Sequence, residues 1–201
     1  MNTSIESFLF EPNSEPYGIP ISEWIVRWWC WLLSSTSDKN PVSDESGKYS
    51  GLRQNNHNVW FLAGTFGGSV TRTCKIPSGK SILLPIINYE CSFADEPLIK
   101  TEKELEVKCK SEIDDIKHLN LTIDQLVLSD LTRYRVRSPI FSIYLQEGNI
   151  IGAKSGLTRM ITDGFWIFFK PLKIGKHIIS SFGSCRSGKI KIQTTYNINV
   201  V

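Results

Sequence analysis

Three titratable side chains stand out for their surroundings. Glu23 opens a run of tryptophans, Asp163 precedes an apolar stretch, and His177 begins the next one after a short connection. Carboxylate and imidazole groups set against aromatic neighbours are desolvated, which shifts their pKa values. Together they would suit general acid–base work in a hydrolase or lyase. Plainer roles also fit: Asp163-Gly164 as a turn and His177 as a strand-end histidine. If the strands they border pair as a hairpin, Asp163 and His177 lie at its opposite ends. A second group suits binding. Arg72 and Asn88 sit on adjacent predicted strands and Gln54 in a long loop, where they could form a hydrogen-bonding floor for a ligand. Arg72 equally suits a sandwich arginine paired with Asp44 or Glu90. Trp29 departs from the main stripe of its helix and could stack on a sugar.

Other motifs are less complete. Gly183 to Lys189 has the GxxxxGK spacing of a phosphate loop, but Ile190 stands where Ser or Thr would hold magnesium. A strand pattern follows instead of a helix, so a hairpin turn is expected there. Cys185 lies eight positions after His177, and a thiolate–imidazole pair with help from Arg186 is conceivable. The simpler reading is a turn cysteine. His57, His118 and His177 make no HxH, HxxxH or HExxH pattern, so neither a metal nor a cofactor is expected. His118 is expected to end a helix, where its charge suits the dipole.

The elements that must position these groups follow from periodicity and turn signals. Residues 1–20 carry Pro12, Pro16, Gly18 and Pro20 and read as an extended arm; residues 21–201 read as one domain. A helix near 22–35 is capped by Ser22, supported by Glu23–Arg27, and striped by Ile21, Trp24, Ile25, Trp28, Trp31 and Leu32. Residues 38–57 are a long polar loop. Strands are predicted at 59–63, 70–76 and 82–87, with Pro85 marking an edge or a bulge. Thr101 and Glu104 form a capping box for a helix near 101–117. Strands resume at 121–128 and 140–145. Phe165–Phe169 should be a central, covered strand. His177–Phe182 follows, and Ile190, Ile192, Tyr196, Ile198 and Val200 alternate on one face. Strands do not alternate with helices. The fold class is therefore mainly β: an antiparallel sandwich or jelly roll with two helices packed on it.

Composition narrows the partners. The 201 residues are 41% hydrophobic and 21% charged, an ordinary globular balance. A net charge of +3 is too even for a phosphate-tracking surface, so no nucleic acid is expected. Glu23 and Arg27 interrupt the longest apolar stretch, so no membrane span is expected. Residues 1–12 lack a leader pattern, and five scattered cysteines form no CxxC, which predicts a cytoplasmic chain with reduced thiols. In a secreted chain, Cys91–Cys109 would be the favoured bridge.

One stretch is more specific. Arg27-Trp28-Trp29-Cys30-Trp31, Asn40-Pro41, Val59 to Gly64, Arg72, Cys74, Pro77, Gly79-Lys80, Pro85 and Asn88 follow in order, and Asp163 to Trp166, Pro171-Leu172, Gly175 and His177 lie beyond. This pattern resembles a family of small uncharacterised bacterial and archaeal proteins, over roughly residues 16–201. The resemblance implies a β-rich sandwich and no particular activity. Many relatives carry a secretion leader. In those, a cysteine near Tyr49 could pair with the counterpart of Cys74, and this chain lacks it.

Two functions follow as expectations. The first is a module binding a small molecule or carbohydrate through Trp29, Gln54, Arg72 and Asn88. The second is an enzyme using Glu23, Asp163 and His177 beneath the tryptophan helix. A third use of that helix is as an interface between copies of the chain in a homo-oligomer.

Overall fold

A computed structural model describes residues 5–128, 130–185 and 188–201. Helix α1 (Ile21–Leu33) and helix α2 (Glu102–Asp114) accompany ten strands. These are β1 (Val59–Phe61), β2 (Gly68–Ile76), β3 (Ser81–Ser92), β4 (Ile116–Ile123), β5 (Leu126–Leu128), β6 (Arg135–Arg137), β7 (Phe141–Leu145), β8 (Gly156–Phe169), β9 (Gly175–Cys185) and β10 (Lys191–Val200). One sheet runs β1-β3-β8, with β6 and β7 paired in succession along β8. The other runs β2-β10-β9-β4-β5. The two sheets pack face to face, so the mainly β, sandwich-like architecture is established.

Most neighbours are antiparallel. Two pairings are not: β1 with β3, and β2 with β10. Because β2 lies in the other sheet, the chain leaves the first sheet after β1 and returns in the same direction as β3. Both sheets are therefore mixed rather than purely antiparallel.

Alternation along the strands builds the core. Ile82, Leu84, Ile167 and Phe169 from the first sheet meet Ile76, Leu121, Ile179, Ile198 and Val200 from the second. The opposite face of the first sheet presents Phe61, Leu83, Trp166 and Phe168 to α1. Trp24, Trp28, Trp29 and Trp31 are all buried in that layer. Three of their indole N–H groups donate to backbone carbonyls: Trp24 to Pro16, Trp28 to Leu62 and Trp31 to Leu52, each at 2.9 Å. The helix begins one residue before Ser22, after Pro20, with no side-chain cap. Buried Asn40 returns to its far end and donates to the Leu32 and Ser35 carbonyls, satisfying orphan acceptors there. Thr101 and Glu104 do form the capping box of α2.

α2 lies against the inward face of the first sheet beyond the reach of the second. Leu105 and Cys109 pack there on Cys91 and Ile161. The N-terminal segment also joins the body. Leu9 bridges Phe169, Phe10 N–H donates to the Phe168 carbonyl, and Ile5 and Leu9 are buried. Among the described residues, no helix is long and apolar enough to cross a membrane.

Candidate functional site

The site is made by an irregularity in β3. Up to Pro85, odd-numbered residues of β3 face α1: Leu83 lies opposite Phe168 and Pro85 opposite Trp166. The register then slips, so that Ile87 pairs with Phe165 and Ile86 has no partner. Ile86 and Ile87 both enter the inter-sheet core. This is the bulge that Pro85 foretold. Beyond it the parity is reversed, and Asn88 and Glu90 stand on the α1 face, opposite Gly164 and Thr162. β1 pairs only with Ser81–Leu83, so no strand covers this outer edge of β3 further along.

A cavity of about 410 Å³ opens at that edge. Trp28, Trp29 and Leu32 of α1 form one wall, and β3 contributes Pro85 to Glu90. Glu112 and Ile113 of α2, Thr65 and Phe66, Ile150 and Ile151, and Ile190 and Ile192 are among its other walls. Two polar atoms of this lining are buried without a hydrogen-bond partner: Trp29 Nε1 and Glu90 Oε2. Trp60 and Trp166 also leave Nε1 unpartnered, but neither lines the cavity. Burial holds the Glu90 carboxyl well above the usual glutamate range, reinforced by the negative charge of Asp95, a hydrogen bond to it, and Glu96. Burial, then Glu112 and Glu96, likewise raise the Tyr89 phenol.

Of the four expected binding residues, the structure brings Trp29 and Asn88 to this cavity. The other two serve the loops. Gln54 donates to the Ser50 and Phe61 carbonyls and accepts from Phe61 N–H, pinning the long loop to β1. Arg72 is 1% exposed. It donates to the carbonyls of Val42, Asp44, Ala63 and Gly64 and to the Tyr196 hydroxyl. It pairs with neither the Asp44 carboxylate, which accepts from Ser46 and Tyr49, nor Glu90. All of its donors point into the protein, so it offers a ligand nothing.

The three expected acid–base residues are dispersed. Glu23 lies on the exposed face of α1, without an ion pair to Arg27, which stacks over Trp24. Asp163 is not in a turn. It lies within β8 on the face away from α1, held by Arg135 through contacts of 2.7 to 3.3 Å. Arg135 also binds Asp114 at 2.7 Å. Gly164 belongs to the strand because a Cβ there would fall 2.5 Å from Asn88 Cβ and 2.7 Å from the Ile87 carbonyl. His177 bonds Asp124 at 2.6 Å and the Lys173 carbonyl at 2.8 Å. It stands six residues before Gly183, which packs on Ile87 near Asp163. By the strand rise that is about 20 Å, too far for one substrate.

Cys185 and His177 occupy opposite ends of the single strand β9, so no thiolate–imidazole pair forms. Arg186 lies outside the described residues. Gly188 follows in a tight connection to β10, with a strand and not a helix next. His118 is in β4, opposite Ser184, because α2 stops at Asp114. No group of three His, Cys, Asp or Glu side chains able to hold a metal occurs among the described residues. Cys30, Cys74, Cys91 and Cys109 are thiols outside any disulfide. Cys91 and Cys109 are neighbours in one cluster but unbridged; the Cys109 thiol donates to the Tyr89 carbonyl, and burial pushes the Cys91 thiol up to about 12.

Glu90 is the site residue that sequence reasoning missed, having been weighed only as a partner for Arg72. The signal was a lone carboxylate within the apolar alternation of Ile82 to Cys91.

No protein-family model matches this chain, and no curated protein sequence does. Among solved structures, it is similar to the cysteine protease inhibitor EhICP2 from Entamoeba histolytica, at 16% identity and a TM-score of 0.28, covering 73% of this chain and 99% of that one. It is also similar to amebosin, at 12% identity and a TM-score of 0.25, covering 73% of this chain and all of that one. Likeness this distant carries no functional argument.

Proposed function

We propose that this protein is a binding module for a small, largely apolar molecule seated between α1 and the free edge of β3. The observation that carries this reading is the Trp29 N–H. Its three neighbours on α1 each have a carbonyl partner, whereas Trp29, only 3% exposed, lines a cavity with none. A buried donor without an acceptor costs roughly 1–3 kcal/mol. A ligand acceptor would recover that. The cavity volume falls within the range of small-molecule sites, and isoleucines dominate its walls.

Carbohydrate is the less supported ligand. Sugar platforms present an open ring face, and Trp29 is buried with its ring edge-to-face against Trp28 at 5.2 Å. Catalysis by Glu23, Asp163 and His177 is unsupported by their separation.

A thermal-shift screen with small apolar and aromatic fragments tests the proposal, because a ligand of the folded state raises its midpoint. Hits are expected to perturb the amides of residues 28–32 and 85–90 by NMR and to weaken in Trp29→Phe. A diverse set that neither shifts the midpoint nor perturbs those amides would refute it.

A further inference from the structure

The charge at the cavity is one-sided. Its ionisable lining residues are Tyr89, Glu90 and Glu112, with no lysine, arginine or histidine. Glu112 is already neutralised by Lys108 at 2.7 Å. Glu90 is not. Its neighbours add further negative charge: Asp95 and Glu96 from the β3–α2 connection. Asp95, whose Oδ1 accepts the Ser92 amide and hydroxyl, meets the Glu90 carboxyl as a further acceptor and brings no positive charge, and Glu90 Oε2 is left without a partner. α1 brings only Trp28, Trp29 and Leu32 to the lining, and the remaining loops bring no titratable group. An acidic oxygen shut away from water beside an apolar wall is complementary to one kind of molecule, a cation with an apolar body.

Resting on the reading of this cavity as a ligand site, we infer that its ligand is an arylalkylamine, whose ammonium group hydrogen-bonds Glu90 Oε2 and whose ring lies against Trp29. The ring's π face accepts the Trp29 N–H, so one molecule satisfies both unpartnered atoms. The charge balance has a measurable consequence. With the cavity empty, burial and the charges of Asp95 and Glu96 favour the protonated form of the Glu90 carboxyl. An ammonium beside it favours the carboxylate. The carboxylic acid and the ammonium ion therefore become an ammonium–carboxylate pair, and the displaced proton goes to solvent. A proton is released on amine binding wherever Glu90 carries one in the free protein. Affinity rises with pH until Glu90 ionises in the free protein. The other titratable groups that interact with Glu90 are Tyr89, Cys91, Asp95, Glu96 and Cys109, and Glu112 lines the same cavity.

The test is calorimetry on the full chain with three molecules of matched body: phenethylamine, phenethyl alcohol and hydrocinnamate. Titrations run across a pH series, at each step in two buffers of different ionisation enthalpy, which counts protons. Phenethylamine should bind about 10-fold tighter than the alcohol, releasing a proton over the part of the series where free Glu90 is protonated, with hydrocinnamate weakest. Glu90→Gln should abolish the preference and the proton release while keeping alcohol binding. If alcohol or carboxylate binds as tightly as amine, or amine binds without proton release at every pH of the series, the amine inference falls and the apolar site stands. If none of the three binds and the fragment screen is also blank, both fall.

Discussion

Arg72 offers the sharpest test of what this fold depends on. Its guanidinium ties residues 42–44 and 63–64 to β2 and, through Tyr196, to β10. In Arg72→Met a stem of similar volume remains and every donor is lost. The cost is unequal across the acceptors. Asp44 and Gly64 carbonyls are reached by partly exposed bonds and can turn to water. Ala63 keeps the Tyr196 hydroxyl at 2.9 Å. The Val42 carbonyl and the Tyr196 oxygen lose buried charge-assisted partners, at about 1.5–3 kcal/mol each. The sum is about 3–6 kcal/mol, a large share of the roughly 5–15 kcal/mol of a typical domain. Arg72→Lys keeps the charge but not the planar fork, and should lose about half as much. Urea unfolding followed by tryptophan fluorescence measures both. With a slope near 2 kcal/mol per molar, the midpoint of Arg72→Met should fall by about 2 M. A loss under about 1 kcal/mol would show that the loops hold themselves, refuting the role assigned to Arg72.

Four further outcomes follow from the same contacts. The folded protein holds the Glu90 proton to a higher pH than the unfolded chain does, so stability should decline as pH rises above the ordinary glutamate value near 4.5. Denaturation curves across that range should show the decline flattened in Glu90→Gln, and an unchanged slope would contradict the assigned protonation. Gly164→Ala places a Cβ against Asn88 and should lower stability by at least about 2 kcal/mol in thermal unfolding; a neutral result would mean that β3 and β8 are less closely apposed. In thiol titration with an aromatic disulfide, Cys30 alone should react in the native protein, more slowly than a free thiol because partial burial raises its pKa, and all five should react after denaturation. His177→Ala removes a partly exposed pair with Asp124 and should change stability by less than about 1 kcal/mol, with fragment binding intact.

The layered β architecture was legible because its signals are local. Thr101 and Glu104 act within one helical turn, and the β10 alternation lies in consecutive residues. Pairing between distant segments was not legible. Nothing near β2 announces that it lies parallel to β10, more than a hundred residues away. The Asp124–Gln125 turn escaped too. Both residues take positive φ and join β4 to β5 as a two-residue hairpin, a role usually signalled by Asn-Gly or Asp-Gly. Missing that turn hid why Asp124 matters, since its carboxylate then reaches the His177 ring and the Ile178 amide.

The site was half legible for a related reason. Trp29 and Asn88 could be singled out by residue type and position, but the sequence does not state on which face of β3 a residue stands. Period two would put Glu90 on the same face as Ile82 and Leu84, in the inter-sheet core, where an unpaired carboxylate would be severely penalised. One extra residue at Ile86 sends it to the opposite face, beside α1. The strand can carry that extra residue because Pro85 has no amide hydrogen to give a ladder and β1 stops pairing at Leu83. Gly164 completes the arrangement by letting β8 approach the chain just past the bulge. Proline, bulge and glycine thus act as one device. Together they carry an acidic side chain out of the core and into the lining of a cavity that also holds an indole whose donor lacks a partner. A carboxylate five residues after a proline in an otherwise apolar strand is therefore a site signal, provided that the strand has a free edge.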